Sequence, residues 1–233
     1  SFFKSYGVIS DFYFTSNDFA TETMKKSKFY YVKNYETTGY YRSDNFINFE
    51  KHNIPAAIEK NRREGKRIVV ALGFNAKTDW VSSQTNFLQS KKSQAQFLKD
   101  MISLSKKIKN IFVILRFKSV NDWKFDSSFK KLIDEIQNSE NIMISENYSE
   151  SFHSYKLCLN SDLIIAKHTS IADESLEYNK KVIFYDFSHN LNRIISGIFD
   201  YFSSYIFCHS FEDLCLKTQT ILGEEKRYDY KNE

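Results

Sequence analysis

The chain is poor in the residues that make sharp loops and disulfide frameworks. Its 233 residues include one proline, six glycines and three cysteines. Few sharp loops are therefore expected. The cysteines, Cys158, Cys208 and Cys215, show no C-x-x-C spacing. Because Cys158 and Cys208 lie in apolar runs, we expect small buried core residues in a reducing compartment.

Long apolar runs and a strong excess of one charge are also missing. No run approaches the roughly 18–20 apolar residues of a membrane span, and the first residues lack the layout of a signal peptide. The net charge of +4 is too weak to indicate nucleic acid, although it is compatible with loose attraction to an acidic membrane surface. We expect a cytoplasmic globular protein that could lie at the inner face of the cell membrane.

Several motifs of known chemistry are absent. The sequence has no Walker A segment, no H-E-x-x-H, no Cys/His metal cluster, no G-x-S-x-G elbow and no G-x-G-x-x-G fingerprint. This disfavours P-loop ATPases, zinc hydrolases and α/β-hydrolases, and it predicts that no metal or other cofactor is required.

A regular alternation of elements begins at Lys66. Short apolar runs predict six strands, at Ile68–Leu72, Ile111–Leu115, Ile142–Ile144, Leu163–Ala166, Val182–Tyr185 and Ile206–Cys208. They do not alternate with polar residues, which is typical of strands buried on both faces of a parallel sheet. Helical patterns lie between or after them, at Ser93–Lys109, Ser127–Gln137, Tyr148–Asn160, Ser170–Tyr178 and Phe211–Leu222. Residues 61–233 are therefore predicted to form an α/β, Rossmann-like doubly wound domain.

The first 60 residues follow a different pattern. It predicts strands at Asp11–Ser16 and Phe29–Val32, a helix at Asn17–Lys26, and a connecting helix at Ile47–Glu64 interrupted near Pro55. Two or three elements cannot form a stable core alone. We interpret residues 1–60 as the tail of a preceding domain plus an interdomain linker.

The most informative stretch predicts a phosphate site at Lys167, His168, Thr169 and Ser170. There a buried strand ends and a helix begins, and the first turn of a helix offers unpaired N–H groups and the positive end of the dipole. In doubly wound sheets, ligands bind at such carboxyl ends of strands. The alternative is an ordinary capping box, in which Ser170 and Asp173 serve only the helix end.

Other candidates lie near the same expected rim. Glu174 and Asp173 could accept hydrogen bonds from a ribose diol, or could simply be acidic residues favoured near a helix N-terminus. Arg116 and Lys118 follow the second strand and could meet a phosphate or a sugar carboxylate, or form a solvated pair.

Weaker signals complete the set of candidates. Gly73 after the first strand could let the backbone approach a ligand or be a turn. Glu146, in Ser145–Asn147 after the third strand, could help to read a nucleobase. His189 is a candidate on the rim. The isolated histidines, His52, His153 and His209, are expected to be structural.

Two segments resemble a known family. SDLIIAKHTSIADESLEYNKKVIFYD, Ser161–Asp186, resembles the C-terminal motif of bacterial GT-B glycosyltransferases that build surface polysaccharides. In that motif an Asp-bearing strand leads to a polar turn, a helix with a carboxylate and then (G/N)K-x-V-(I/L)-FYD. It is similar to the Kdo-type sugar transferases and the teichoic-acid glycerophosphotransferases. YETTGYYRSD, Tyr35–Asp44, resembles the V-x-x-T-G-x-P-R-x-D crossover between the two domains, with Tyr41 in place of proline.

The resemblance implies the donor half of a glycosyltransferase of lipopolysaccharide or capsule synthesis. It implies a nucleotide-activated sugar, with CMP-, UDP- and CDP-linked compounds as candidates, and a glycan or lipid-linked acceptor. The acceptor site and the catalytic base would lie in an N-terminal domain, so no catalytic residue is assigned here. The R-x-H-P tetrad of the family is missing at Arg116-Phe117-Lys118-Ser119. An epimerase or hydrolase using His189 and Glu146, and a non-catalytic binding module, remain alternatives.

Overall fold

A computed structural model of the protein describes residues 8–16, 18–26, 30–39, 44, 46, 54–73, 90–118, 124–150, 152–167, 169–187 and 206–223. The chain forms two compact units, Ser1–Ile47 and Asn48–Glu233. Helix Ala56–Arg63 belongs to the second of these units, where it buries Ile58 and Asn61 and packs on the first strand. The boundary between a linker that ends at residue 60 and a domain that begins at residue 61 stays a prediction.

The first unit contains a parallel strand pair joined through a helix. Strand β1 (Val8–Thr15) leads through helix α1 (Asp18–Lys26) to strand β2 (Tyr30–Thr37). The register runs from Val8 opposite Tyr30 to Thr15 opposite Thr37. Strand β2 thus continues five residues beyond the predicted Val32 and includes Tyr35–Thr37 of the predicted crossover. Tyr41 of that crossover lies outside the described residues.

A parallel six-stranded sheet organises the second unit. Its strands are β3 (Arg67–Leu72), β4 (Ile111–Arg116), β5 (Ile142–Ile144), β6 (Leu163–Ala166), β7 (Val182–Tyr185) and β8 (Phe207–Cys208). Their spatial order is β5-β4-β3-β6-β7-β8, and every pair is parallel. This is the strand order of a doubly wound Rossmann-type sheet, so the predicted fold class is confirmed.

Helices separate the strands as the sequence predicts. They are α2 (Ala56–Arg63), α3 (Lys91–Lys107), α4 (Lys130–Gln137), α5 (His153–Leu159), α6 (Ser170–Glu177) and α7 (Phe211–Gly223). A 3-10 turn, Ser127–Phe129, precedes α4. Helix α5 begins five residues later than predicted, because the Asn147 carboxamide accepts the Glu150 N–H and holds a polar turn ahead of the helix.

The core of the second unit lies around the sheet. Strands β4, β6 and β7 are buried at every position, and β3 is buried except at its first residue. These strands consist mostly of Ile, Val and Leu because helices cover both of their faces. Cys158, Cys208 and Cys215 are buried and unpaired, as expected of core thiols. Among the residues described here, no helix is long and apolar enough to cross a membrane.

Candidate functional site

The topological switch point lies between β3 and β6. The chain leaves β3 towards β4 and β5 on one side, then returns to β6 and continues to β7 and β8 on the other side. The backbone N–H of Lys167 donates to the Leu72 carbonyl at 3.3 Å, so Gly73 and Lys167 leave the sheet side by side. Crevices at such points, outside the carboxyl ends of the strands, are where ligands bind in open α/β sheets.

Lys167 is a buried cation at this edge. Only 3% of the residue is exposed. Its Nζ donates a hydrogen bond to the Ser93 hydroxyl at the start of α3 and lies 4.9 Å from the centre of the Phe187 ring. Burial lowers the pKa of Lys167 to about 7, against an opposing effect of the Asp186 charge. An anion bound here would favour the protonated lysine and raise that pKa.

Helix α6 begins without a side-chain cap. Its N-cap is Thr169, which has extended backbone (φ −141°, ψ 133°) and makes no capping hydrogen bond. The Thr169 hydroxyl is buried and has no hydrogen-bond partner. Ser170 is the first helical residue and is exposed. His168 lies outside the described residues.

The capping-box alternative is not formed. With Thr169 as the N-cap, the position three residues later is Ala172, whose N–H donates to the Thr169 carbonyl at 3.0 Å. Asp173 is one residue too late to close a box, and Ser170 is inside the helix. The first N–H groups of α6 therefore donate no capping hydrogen bond to the Thr169 side chain and are not part of a capping box.

A second unpartnered polar side chain lies in the first turns of α3. The Ser90 hydroxyl caps α3 by accepting the Ser93 N–H at 3.2 Å. Gln94 follows Ser93 and is 2% exposed, yet neither end of its carboxamide has a hydrogen-bond partner. Buried polar atoms are nearly always paired. Gln94 and Thr169 are two exceptions to this rule. Each lies within two residues in sequence of Ser93 or Lys167, whose hydrogen bond links the start of α3 to the start of α6.

Arg116 organises the loop after β5. Its guanidinium donates to the Ser154 hydroxyl and to the carbonyls of Ser145 and Asn147, at 3.0 to 3.2 Å, and lies 4.4 Å from the Tyr148 ring centre. This set of partners explains why a cation is only 8% exposed there. A contact between Arg116 and a phosphate stays a prediction.

Three other predicted residues have different surroundings. Lys118 is exposed. The Glu146 carboxylate pairs with the Lys124 ammonium at 2.5 Å. Gly73 is packed against Phe117, because a Cβ on Gly73 would lie 2.2 Å from a ring carbon of that residue. Close packing therefore accounts for the glycine without a ligand.

The two carboxylates of α6 lie in unlike environments. Glu174 is fully buried and accepts a hydrogen bond from the Tyr155 hydroxyl. Asp173 remains exposed on one side. Desolvation by surrounding atoms and, second, the charge of Glu174 raise the pKa of Asp173 to about 6. Of the two, Asp173 is the one that a ligand could reach without rearrangement.

A buried hydrogen-bond network at the end of β5 includes a histidine that sequence analysis treats only as structural. His153 bonds the Ser145 hydroxyl through Nε2 at 3.0 Å and the Glu150 carboxylate through Nδ1 at 2.9 Å. Burial lowers the pKa of His153, so the neutral imidazole is favoured. The sequence signal that could have identified His153 is its position at the start of the helix that follows β5. In a parallel α/β sheet, such helix starts lie at the same edge as the carboxyl ends of the strands.

The network borders a cavity of about 540 Å³. Its walls include Ser145, Asn147, Glu150 and His153 on one side and Ile54 and Pro55 on the other. A neighbouring cavity of about 640 Å³ lies along the outer edge of the sheet, with walls that include Lys60, Phe112 and Glu140. The two cavities share the wall residues Ala57, Met143 and Glu146. We assign greater weight to the first, because it opens at the carboxyl end of a strand.

Comparisons with solved structures agree with this architecture. A protein assigned as a UDP-N-acetylglucosamine 2-epimerase from Listeria monocytogenes superimposes with a TM-score of 0.62 at 11% identity, over 94% of this chain and 53% of that chain. The MnaA–UDP structure from S. aureus gives 0.60 at 12% identity, over 94% and 53%. A histidine-to-alanine variant of the wall teichoic acid polymerase TagF gives 0.51 at 15% identity, over 91% and 50%.

The chain spans about half the length of these structural neighbours. No protein-family model matches the sequence, and a search of curated proteins gives no match. At such low identity the likeness shows the fold alone. The neighbours have the GT-B fold, and this chain therefore has the fold of about half of a GT-B protein, as its C-terminal motif predicts.

Proposed function

We propose that this chain carries the nucleotide-sugar site of a GT-B glycosyltransferase of surface polysaccharide synthesis. The observation that carries the proposal is the polar site at the switch point, where a buried Lys167 adjoins the start of α6, which has no side-chain cap. The unpartnered Thr169 hydroxyl is a donor that a phosphate oxygen would satisfy. The N–H groups of the first turn of α6 and the helix dipole favour the same ligand.

The dimensions of the sheet edge suit the remainder of a nucleotide. The cavity beside Ser145 and His153 lies at the end of β5, which is three strand spacings, or roughly 14 Å, from β6. A nucleoside held in that cavity could place its phosphates at Lys167. Asp173, an exposed carboxylate in the first turn of α6, is available for a ribose hydroxyl. Glu174 would require Tyr155 to move.

The chemistry expected of such a site is positioning and charge stabilisation. When the glycosidic bond breaks, negative charge develops on the leaving phosphate. Lys167 and the start of α6 would stabilise that charge without a metal ion. The donor base remains open among cytidine and uridine compounds, including a CMP-linked sugar. The catalytic base and the acceptor site belong to the other half of the fold in this proposal.

We also propose that residues 1–60 form the end of that other half plus the linker. Parallel strands are normally covered on both faces. Phe12 and Phe14 of β1 stack on one another with ring centres 6.5 Å apart, and they are 54% and 63% exposed. An exposed aromatic pair on a parallel strand is expected where further elements of a domain complete the packing.

A sugar-nucleotide epimerase is the second candidate. Its support is the structural likeness to the assigned 2-epimerase from Listeria monocytogenes. The residues suggested for that chemistry give no further support, since Glu146 is paired with Lys124 and His189 lies outside the described residues.

Calorimetry of the chain with CMP, UDP and CDP tests the proposal. We expect at least one of them to bind, and to lose affinity in Lys167→Met. Absence of binding by all three at millimolar concentration would reject both candidates and leave a non-catalytic module. With the other half of the fold supplied, nucleotide release that requires an added glycan or lipid-linked acceptor would identify the transferase. Conversion of the sugar without nucleotide release would identify the epimerase.

A further inference from the structure

A third cavity lies at the carboxyl ends of β7 and β8, on the other side of the proposed phosphate site from β5. Its volume is about 350 Å³. The walls combine aromatic rings with hydrogen-bonding groups and are formed by Ser93, Gln96, Asp100, Tyr185, Phe187 and Phe211, together with Lys92 and Ser210. Such a mixture of apolar surface and a few fixed polar groups is typical of small-molecule sites.

The polar part of this cavity is held in place by its own hydrogen bonds. Asp100 is 6% exposed and accepts from the Tyr185 hydroxyl at 2.8 Å and from the Gln96 carboxamide at 2.9 Å. One bond reaches each carboxylate oxygen. A carboxylate can accept about four hydrogen bonds, so Asp100 retains capacity for further donors.

The cavity adjoins the side chain of Lys167 in the proposed phosphate site. Two of its wall residues, Ser93 and Phe187, are the residues that hold Lys167: Ser93 accepts its Nζ–H and the Phe187 ring lies 4.9 Å from Nζ. A phosphate on Lys167 would therefore have its next attached group at the entrance of this cavity. The nucleoside cavity at β5 lies in the other direction along the sheet edge.

We propose that this cavity binds the group transferred from the nucleotide, and that it selects a neutral polyhydroxylated group over an acidic sugar. The inference rests on the proposed function and extends it to the class of the donor. Hydroxyl groups can donate to Asp100 and to the Gln96 carbonyl, and the rings of Phe187 and Phe211 offer apolar surface to the carbon skeleton. An acidic sugar would bring a second negative charge towards Asp100, where the Glu212 carboxylate adds to the negative potential and the Lys99 ammonium opposes it.

Matched donors provide the test. The full chain would be titrated calorimetrically with UDP, UDP-glucose and UDP-glucuronate, which share one nucleotide and differ in the sugar. CDP and CDP-glycerol serve as a neutral pair if the site prefers cytidine. We expect UDP-glucose to bind about tenfold more tightly than UDP-glucuronate, which corresponds to ~1.4 kcal/mol.

Variants assign the effect to the cavity. Asp100→Asn keeps the shape of the side chain and should weaken the binding of UDP-glucose about tenfold. It should also reduce the discrimination against UDP-glucuronate and leave the affinity for UDP itself unchanged. Gln96→Ala is at an exposed position, so it should fold normally and show a smaller loss in the same direction. Ser103→Ala, at another exposed position of α3 that lies outside the walls of the cavity, is the control and should change nothing.

The outcomes separate this inference from the proposed function. If UDP binds but both variants bind UDP-glucose like the parent, or if the parent prefers UDP-glucuronate, the cavity is not the sugar site and only this inference is overturned. If the parent binds neither uridine nor cytidine nucleotides, the proposed function fails and this inference fails with it.

Discussion

Replacing Thr169 by valine should stabilise the free protein and at the same time weaken its binding of nucleotides. The Thr169 hydroxyl is buried, makes no capping hydrogen bond and has no partner. An unsatisfied buried hydroxyl costs about 1–3 kcal/mol. Valine has the same branched shape and suits the extended backbone of Thr169, so Thr169→Val should recover roughly 1 kcal/mol, which raises the Tm of a chain of this size by about 2–4 °C.

The loss in affinity follows from the role proposed for the same hydroxyl. A hydrogen bond to a charged group contributes about 1.5–3 kcal/mol, so Thr169→Val should weaken nucleotide binding roughly tenfold to a hundredfold. Thermal unfolding without ligand and calorimetry with the nucleotide that binds best measure the two effects. Opposite signs of the two changes are the signature of a ligand-binding hydroxyl.

Thr218 provides the matched control. Its hydroxyl is also buried and unpartnered, but it lies two turns inside α7. Thr218→Val should therefore raise the Tm in the same way and leave nucleotide affinity unchanged. A fall in the Tm of Thr169→Val of 2 °C or more with unchanged affinity would refute the reasoning, because it would show that the hydroxyl caps α6, whose loss costs about 0.5–2 kcal/mol.

Three further predictions concern neighbouring residues. The pKa of Lys167 falls from 10.5 to about 7 on folding, so the folded state binds fewer protons than the unfolded state between these pH values. The free energy of unfolding should therefore rise with pH in this range, by up to ~1.4 kcal/mol per pH unit. Urea unfolding of Lys167→Met should lack that rise. Gly73→Ala should destabilise the protein by about 1–3 kcal/mol through overpacking against Phe117, and Phe117→Leu in the same chain should recover part of the loss in a double-mutant cycle; additive losses would contradict the contact. Lys118→Ala should leave the Tm unchanged because the side chain is exposed, and calorimetry then decides its predicted phosphate role, which unchanged affinity would reject.

Much of the second unit follows from its sequence. The six short apolar runs correspond to β3–β8 within one or two residues, because strands buried on both faces must be apolar throughout. The start of α5 was wrong by five residues, since the polar turn around Asn147 depends on side-chain hydrogen bonds that periodicity does not reveal. The predicted β2 was too short because its second half, up to Thr37, is mostly polar. A polar segment of this kind is as typical of a loop as of a strand.

The sequence predicts where the candidate residues lie on the sheet edge, but it does not predict their hydrogen-bond partners. That Lys167, Thr169 and Ser170 follow a central strand and begin a helix is legible in the sequence, since carboxyl ends of parallel strands share one edge. The sequence does not reveal that the Arg116 guanidinium donates to Ser145, Asn147 and Ser154, nor that the Tyr155 hydroxyl donates to Glu174. The ligand contacts suggested for Arg116 and Glu174 stay predictions.

The sequence by itself determined the class of fold, the strand positions and the sheet edge at which the candidate site residues lie, because these depend on local periodicity and on the geometry common to parallel sheets. Only the tertiary structure decided which polar groups there are already satisfied. Residues distant in the chain form the hydrogen bonds between Lys167 and Ser93 and between Tyr185 and Asp100. Distant residues likewise surround the Thr169 hydroxyl and leave it without a hydrogen-bond partner. Such contacts are set by how helices pack on the sheet, and no local pattern specifies them.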